Sequence, residues 1–182
     1  MNGQQIAVPR VSLIVLLARV GFLSVCLNLL SVSAFLSAAD AQAVAFLVRH
    51  ADRLDWSEDT RLSKAGEERA RRLAALLKDA GITTIYTTEF QRTQKTAEPL
   101  AHILNIRPMI FHHRNHEDPV KRIKRQTQTE IALVIGHDST IPPMLKMFGY
   151  ADPITIAPNE YDNLFVLIAN DNSRPAVIRL RY

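Results

Sequence analysis

Two short runs leave this chain little freedom in how it folds. Val44-Ala45-Phe46-Leu47-Val48 and Ile131-Ala132-Leu133-Val134-Ile135 are apolar at every position. A strand with one wet face alternates polar and apolar residues, so an unbroken run of this length marks a strand covered on both faces. Such strands belong to sheets with helices packed on either side. Each run also stops abruptly at a histidine-bearing pair, Arg49-His50 in the first case and Gly136-His137 in the second.

The remaining sequence supplies the covering layers. Ser63 is a plausible N-cap for a helix running to Lys78, with Ala70, Leu73, Ala74, Leu76 and Leu77 as its apolar face and Gly81 closing it. Further helices are predicted over Phe90–Leu104, with a kink or early break at Pro99, over Val120–Gln128, and over Pro142–Phe148. Ile82–Thr87, Ile106–His112, Leu164–Ala169 and Ala176–Leu180 read as strands, the last two separated by the turn cluster Asn170-Asp171-Asn172-Ser173. Strands and helices alternate until that terminal pair. The expectation is an α/β fold, a three-layer α/β/α sandwich with a mostly parallel central sheet.

Residues 1–43 stand apart. Val20–Ala39 carries no charge, follows Arg10 and Arg19, and leads into Ala39-Asp40-Ala41-Gln42-Ala43 with overlapping A-x-A sites. This is the pattern of a secretory signal peptide, and an uncleaved membrane anchor through residues 20–39 is the alternative. Either reading makes residues 44–182 one exported domain, periplasmic or extracellular. The only cysteine, Cys26, lies within the apolar stretch, which excludes disulfides, thiolate metal sites and a cysteine nucleophile from the domain. A net charge of +4 is too small to argue for nucleic acid but suits a small anionic substrate.

In open sheets ligands bind beyond the carboxyl ends of the strands. Arg49 and His50 end the first strand, Arg92 begins the helix after the second, and His137 ends Ile131–Ile135. Three distant segments thus send two arginines and two histidines to one edge. A core has no use for that set, whereas a phosphate does, because guanidinium forks clamp its oxygens.

Phe46-Leu47-Val48-Arg49-His50-Ala51 resembles the Arg-His-Gly signature of the histidine phosphatase superfamily, also called phosphoglycerate mutase-like. Leu62-Ser63-Lys64-Ala65-Gly66 resembles its Leu-Thr-x-x-Gly helix start, and Thr88 to Ala97 its Ser-x-x-x-Arg-x-x-x-Thr-Ala segment. Val134-Ile135-Gly136-His137 resembles its Gly-His segment. The resemblance implies a metal-independent, cofactor-free phosphomonoesterase. His50 would be the nucleophile, with Arg49, Arg92 and His137 on the phosphoryl oxygens. Gly136-His137-Asp138 also resembles the acid-phosphatase branch, whose aspartate donates the proton and whose second arginine corresponds to Arg53. Asp138 is therefore the favoured proton donor, with Glu117 and Glu160 as the other candidates. A phosphomutase and a non-catalytic phosphate-binding envelope module remain the competing functions. The substrate class is a small phosphorylated compound, and oligomeric state is not legible.

Some residues fall outside this scheme. Trp56 lines the substrate mouth or packs in the core. His112, His113 and His116 invite a metal, but the segment reads as a polar loop at the active-site rim, so no metal site is expected. Lys121-Arg122-Ile123-Lys124-Arg125 reads as a solvated helix face that could draw in an anion.

Overall fold

The computed structural model describes residues 43–125, 130–169 and 174–182. The N-terminal apolar segment, the end of the basic helix at 126–128 and the turn cluster at 170–173 lie outside the described residues. In chain order the strands are β1 (Ala43–Arg49), β2 (Thr84–Thr88), β3 (Met109–Phe111), β4 (Ile131–Gly136), β5 (Asn163–Ala169) and β6 (Ala176–Arg181). The helices are α1 (Lys64–Leu77), α2 (Gln91–Leu104), α3 (Glu117–Arg125) and α4 (Ile141–Met147), with a 3₁₀ turn at His113–Asn115.

One six-stranded sheet runs in the order β3-β2-β4-β1-β5-β6. Each central strand serves two cores. Ala45 and Leu47 of β1 and Ala132 and Val134 of β4 face a cluster with Val120 and Ile123 of α3 and Met144 and Leu145 of α4. Val48, Leu133 and Ile135 face the opposite cluster, with Leu73 and Leu77 of α1 and Ala97 and Leu100 of α2. This explains why the strands show no polar alternation, and it makes the sandwich three-layered.

The sheet is mixed rather than mostly parallel. β1–β4, β2–β4 and β2–β3 pair in parallel, whereas β1–β5 and β5–β6 are antiparallel. The cause lies between α4 and β5. That connection stays at the carboxyl edge, where the carbonyls of Ala157, Pro158 and Glu160 accept hydrogen bonds from Arg49. The next strand therefore starts at that edge and runs back, and its short link to β6 permits only antiparallel pairing.

Two local expectations also change. α2 runs without a break through Pro99, because Thr93, Thr96, Ala97, Leu100 and Ala101 are buried along its length and outweigh one lost backbone hydrogen bond. β3 shrinks to three residues. Pro108 cannot donate to a ladder, and Met109 and Ile110 stay exposed on this edge strand. Ser63 caps α1 as expected, its Oγ accepting from Gly66 N at 3.1 Å. Among the described residues no helix is long and apolar enough to cross a membrane.

Candidate active site

Strand register assembles the site. Arg49 of β1 stands opposite Gly136 of β4, so the next residues, His50 and His137, leave the sheet side by side. His50 N donates to Gly136 O at 2.9 Å, and the two imidazole rings lie 5.3 Å apart, edge to face. Thr87 of β2 is level with Ile135 of β4, which brings Thr88 beside His137. The pocket at this edge holds about 220 Å³ and is lined by Arg49, His50, Arg53, Phe90, Arg92, His113, His137, Asp138 and Ser139.

Hydrogen bonds settle both tautomers. His50 Nδ1 lies 2.8 Å from Ala51 O, and a carbonyl only accepts, so Nδ1 carries the proton and Nε2 keeps its lone pair. The Thr93 hydroxyl donates to the carbonyl of Phe90 at 2.8 Å. Thr88 Oγ1, 2.9 Å away, must then donate to Thr93 and accept from His137 Nε2–H at 3.1 Å. His137 Nδ1 is left for a ligand.

Both rings are almost wholly buried, His50 at 3% exposed and His137 at 6%. Burial is the main force on each. Arg49, Arg92 and Arg53 add to it at His50, and His50 and Arg92 at His137, pushing both pKa values down from 6.5 to about 3. His50 is thus a neutral imidazole with a free lone pair.

These shifts bear on stability. Unfolded histidine gains a proton below pH 6.5, whereas the folded rings resist protonation until about pH 3. The unfolded chain therefore binds more protons in that window, and stability falls as pH falls through it, by up to about 1.4 kcal/mol per pH unit for each ring. Ordinary carboxylates stay almost wholly ionised above about pH 5.5, so the interval from pH 6.5 to about 5.5 isolates the histidines. Urea unfolding midpoints of the full-length protein should drop across that interval. They should flatten in the double variant His50→Asn/His137→Asn. Equal slopes in the two proteins would contradict the burial argument.

The arginines are held by backbone. Arg49 Nη1 donates to the three carbonyls of 157, 158 and 160, its Nη2 lies 3.2 Å from Asp138 Oδ2, and its guanidinium stacks over Tyr161 at 4.3 Å. Arg92 Nη1 donates to Glu58 O at 2.6 Å, and Asp59 accepts from Gln91 N, which ties the loop after β1 to the start of α2. Arg53 lies over Trp56 at 3.3 Å. The Nε atoms of Arg49, Arg53 and Arg92 are all buried without a protein partner. Three unpaired guanidinium donors around one small pocket suit an anion.

Asp138 lines the pocket but does not cap α4, whose N-cap is Thr140. Its Oδ1 accepts from Ser139 N instead. Glu117 opens α3, does not line the pocket, and pairs with Lys121. Glu160 contributes its carbonyl to Arg49, while its carboxylate binds Arg181 and Ala157 N. The Arg181 bond, then the Ala157 amide, holds that carboxyl down at about 2, so it carries no proton to give at neutral pH. Trp56 is 77% exposed and thus not a core residue.

Sequence reasoning missed Phe90, Ser139 and Tyr161. Phe90 is inside the Thr88–Ala97 segment and forms a wall against His137, 5.5 Å between centroids. His113, read as part of a polar loop at the rim, lines the pocket. No signal marked Tyr161.

The model of the histidine phosphatase superfamily (branch 1) matches residues 45–134. The fold agrees. SixA from Agrobacterium tumefaciens superposes with a TM-score of 0.57 at 20% identity, covering 77% of this chain and 99% of that one. The protein histidine phosphatase SixA complexed with tungstate gives 0.58 at 16% identity, covering 76% and 96%. A mycobacterial glucosyl-3-phosphoglycerate phosphatase with VO3 gives 0.59 at 11%, covering 76% and 98%. A search of the curated proteins gives no match. The family model matches the part of the chain that carries β1 to β4, and the solved structures share the fold.

Proposed function

We propose that this chain is a metal-independent phosphomonoesterase acting through a phosphohistidine on His50. One observation carries the reading. Nδ1 of His50 is committed to Ala51 O, leaving Nε2 as a nucleophile inside a pocket ringed by Arg49, Arg53 and Arg92. The relatives solved with tungstate and VO3 lend support, since both are phosphate-like oxyanions.

The chemistry runs in two steps. Nε2 attacks phosphorus and the ester P–O bond breaks. The leaving oxygen takes a proton from Asp138, the one candidate carboxyl that lines the pocket, which receives that proton with the incoming phosphate as the anion displaces it from its 3.2 Å pairing with Arg49. Water then attacks phosphorus, its proton passes to Asp138, and the P–N bond breaks, returning the lone pair to Nε2. Throughout, the guanidinium groups face the charge on the equatorial oxygens, so the positive field at phosphorus comes from side chains. His137 joins them once a phosphate dianion, opposite in sign to the arginines, draws a proton onto Nδ1.

A pocket this small holds the phosphoryl group and little more, which fits a small phosphorylated substrate whose remainder stays near Trp56 and solvent. The uncharged stretch Val20–Ala39 supports an exported setting. To test the mechanism, the full-length protein is mixed with an aryl phosphate and quenched under alkaline conditions within one turnover. Peptide mapping should find the phosphate on His50. Phosphate on another residue, or turnover with no covalent phosphate at any quench time, would overturn it.

A further inference from the structure

We propose that Glu89, His112 and His113 form a transition-metal site at the rim of the phosphate pocket, separate from the residues that handle the phosphoryl group. The sheet register creates it. Thr88 of β2 is level with Phe111 of β3, so the residues that follow, Glu89 on one strand and His112 and His113 on the other, emerge together. Glu89 Oε2 accepts from His113 N at 2.9 Å, which turns Oε1 towards both rings. Oε1 then lies 2.7 Å from His113 Nδ1 and 3.4 Å from His112 Nε2, and all three potential ligand atoms fall within 4.8 Å of one another.

Two imidazole nitrogens and one carboxylate oxygen, with room for a further ligand, are the donor set of an open zinc-type site. Metal–ligand bonds of about 2.0–2.2 Å in a tetrahedron place ligands about 3.3 Å apart. His112 already stands at that distance from Oε1. The His113 ring must retreat by about 0.6 Å. Nitrogen-rich donors select Zn²⁺, Co²⁺, Ni²⁺ or Cu²⁺ over Mg²⁺ and Ca²⁺. Binding moves the proton of His113 from Nδ1 to Nε2 and that of His112 from Nε2 to Nδ1. The cost is the 2.7 Å bond from His113 Nδ1 to Glu89 Oε1, which the metal replaces, and the weak 3.3 Å bond from Arg114 N to His112 Nδ1. Spacing within the histidine stretch pairs His112 with His116, but the 3₁₀ turn intervenes and Glu89 takes the third place.

The site touches the pocket through one residue. His113 lines it, 5.1 Å from the Phe90 ring and 6.4 Å from His137. Loading the metal pins His113 and stiffens that wall.

The test is a Co²⁺ titration of metal-stripped full-length protein, followed by visible absorption. One equivalent should bind with tetrahedral-type bands and be displaced by Zn²⁺. His112→Ala is the deciding variant, because His112 is 54% exposed on its side chain and its loss leaves the fold intact. It should weaken binding at least about tenfold, Glu89→Gln likewise, and His50→Ala should leave it unchanged. Absence of bands at millimolar Co²⁺ overturns the site, as does binding that survives His112→Ala or disappears with His50→Ala. A second arm rests on the phosphatase reading. Zn²⁺ should slow hydrolysis by the wild type and spare His112→Ala, and equal inhibition of both would overturn the link to the pocket. The absorption arm stands whether or not the protein hydrolyses esters.

Discussion

Full-length protein carrying His50→Ala is expected to lose at least about 10³-fold in turnover of any phosphomonoester. The arginines are donors without lone pairs, and His137, tethered to Thr88 through Nε2–H, turns Nδ1 to the pocket as a phosphoryl-oxygen ligand in the proposed step. The three guanidinium groups stay in place because backbone carbonyls and stacking hold them, not His50. Affinity for inorganic phosphate should therefore change by less than about tenfold, or 1.4 kcal/mol. That split between turnover and binding is the signature of a lost nucleophile. Asp138→Asn should behave differently, slowing alkyl esters by about 10²–10⁴ while sparing aryl esters, whose leaving groups need no proton. Hydrolysis of both ester types by each variant, with phosphate affinity from calorimetry, checks all of this. Turnover by His50→Ala within tenfold of wild type would remove the phosphohistidine from the mechanism.

How much of this was readable from residues follows from the physics of each signal. β1 and β4 were legible because burial on both faces leaves an unbroken apolar run, and their ends delivered Arg49, His50 and His137 to one edge. Arg92 was legible from its place after β2. What periodicity cannot carry is direction. Nothing in Leu164–Ala169 says which way β5 runs, because its orientation is set by where the chain leaves the loop that holds Arg49. Contacts made by backbone carbonyls, such as those of Ala157 and Pro158, have no side-chain signature at all. Tyr161 was silent for a related reason, being an aromatic residue in a loop whose role depends on Arg49 lying across it. The Glu89–His113 pair was hidden because its partners are 24 positions apart and meet only through parallel register. Pro99 was misread because a local rule about the helix interior yields to a face buried along its whole length.

The second large effect is expected at Gly66→Ala, a site remote from phosphorus. Gly66 lies in the first turn of α1, with an ordinary helical backbone, so its lack of a side chain is not a matter of conformational freedom. Space is the reason. A Cβ there would sit 2.1 Å from the carbonyl oxygen of Asp52 and 3.0 Å from its carbonyl carbon. The obstacle is backbone, which cannot swing aside as a side-chain tip can. That carbonyl also accepts from Ser63 N at 2.9 Å and from the Ser63 hydroxyl at 3.3 Å, so the helix start and the loop after His50 are built around it. Asp52 in turn pairs with Arg69 one turn further along, at 2.6 Å. An alanine must push α1 off this loop and break several of these bonds at once, at a cost of about 3 kcal/mol or more, the upper end for overpacking. By contrast Ser63→Ala removes the cap, worth about 1 kcal/mol, and the long 3.3 Å bond to Asp52 O, with no backbone clash. Urea midpoints of the full-length variants should therefore rank wild type above Ser63→Ala and Ser63→Ala well above Gly66→Ala. Because Asp52 is two residues from His50, the folded fraction of Gly66→Ala should also turn over more slowly than wild type. A Gly66→Ala midpoint equal to that of wild type would show that α1 and the catalytic loop do not approach this closely.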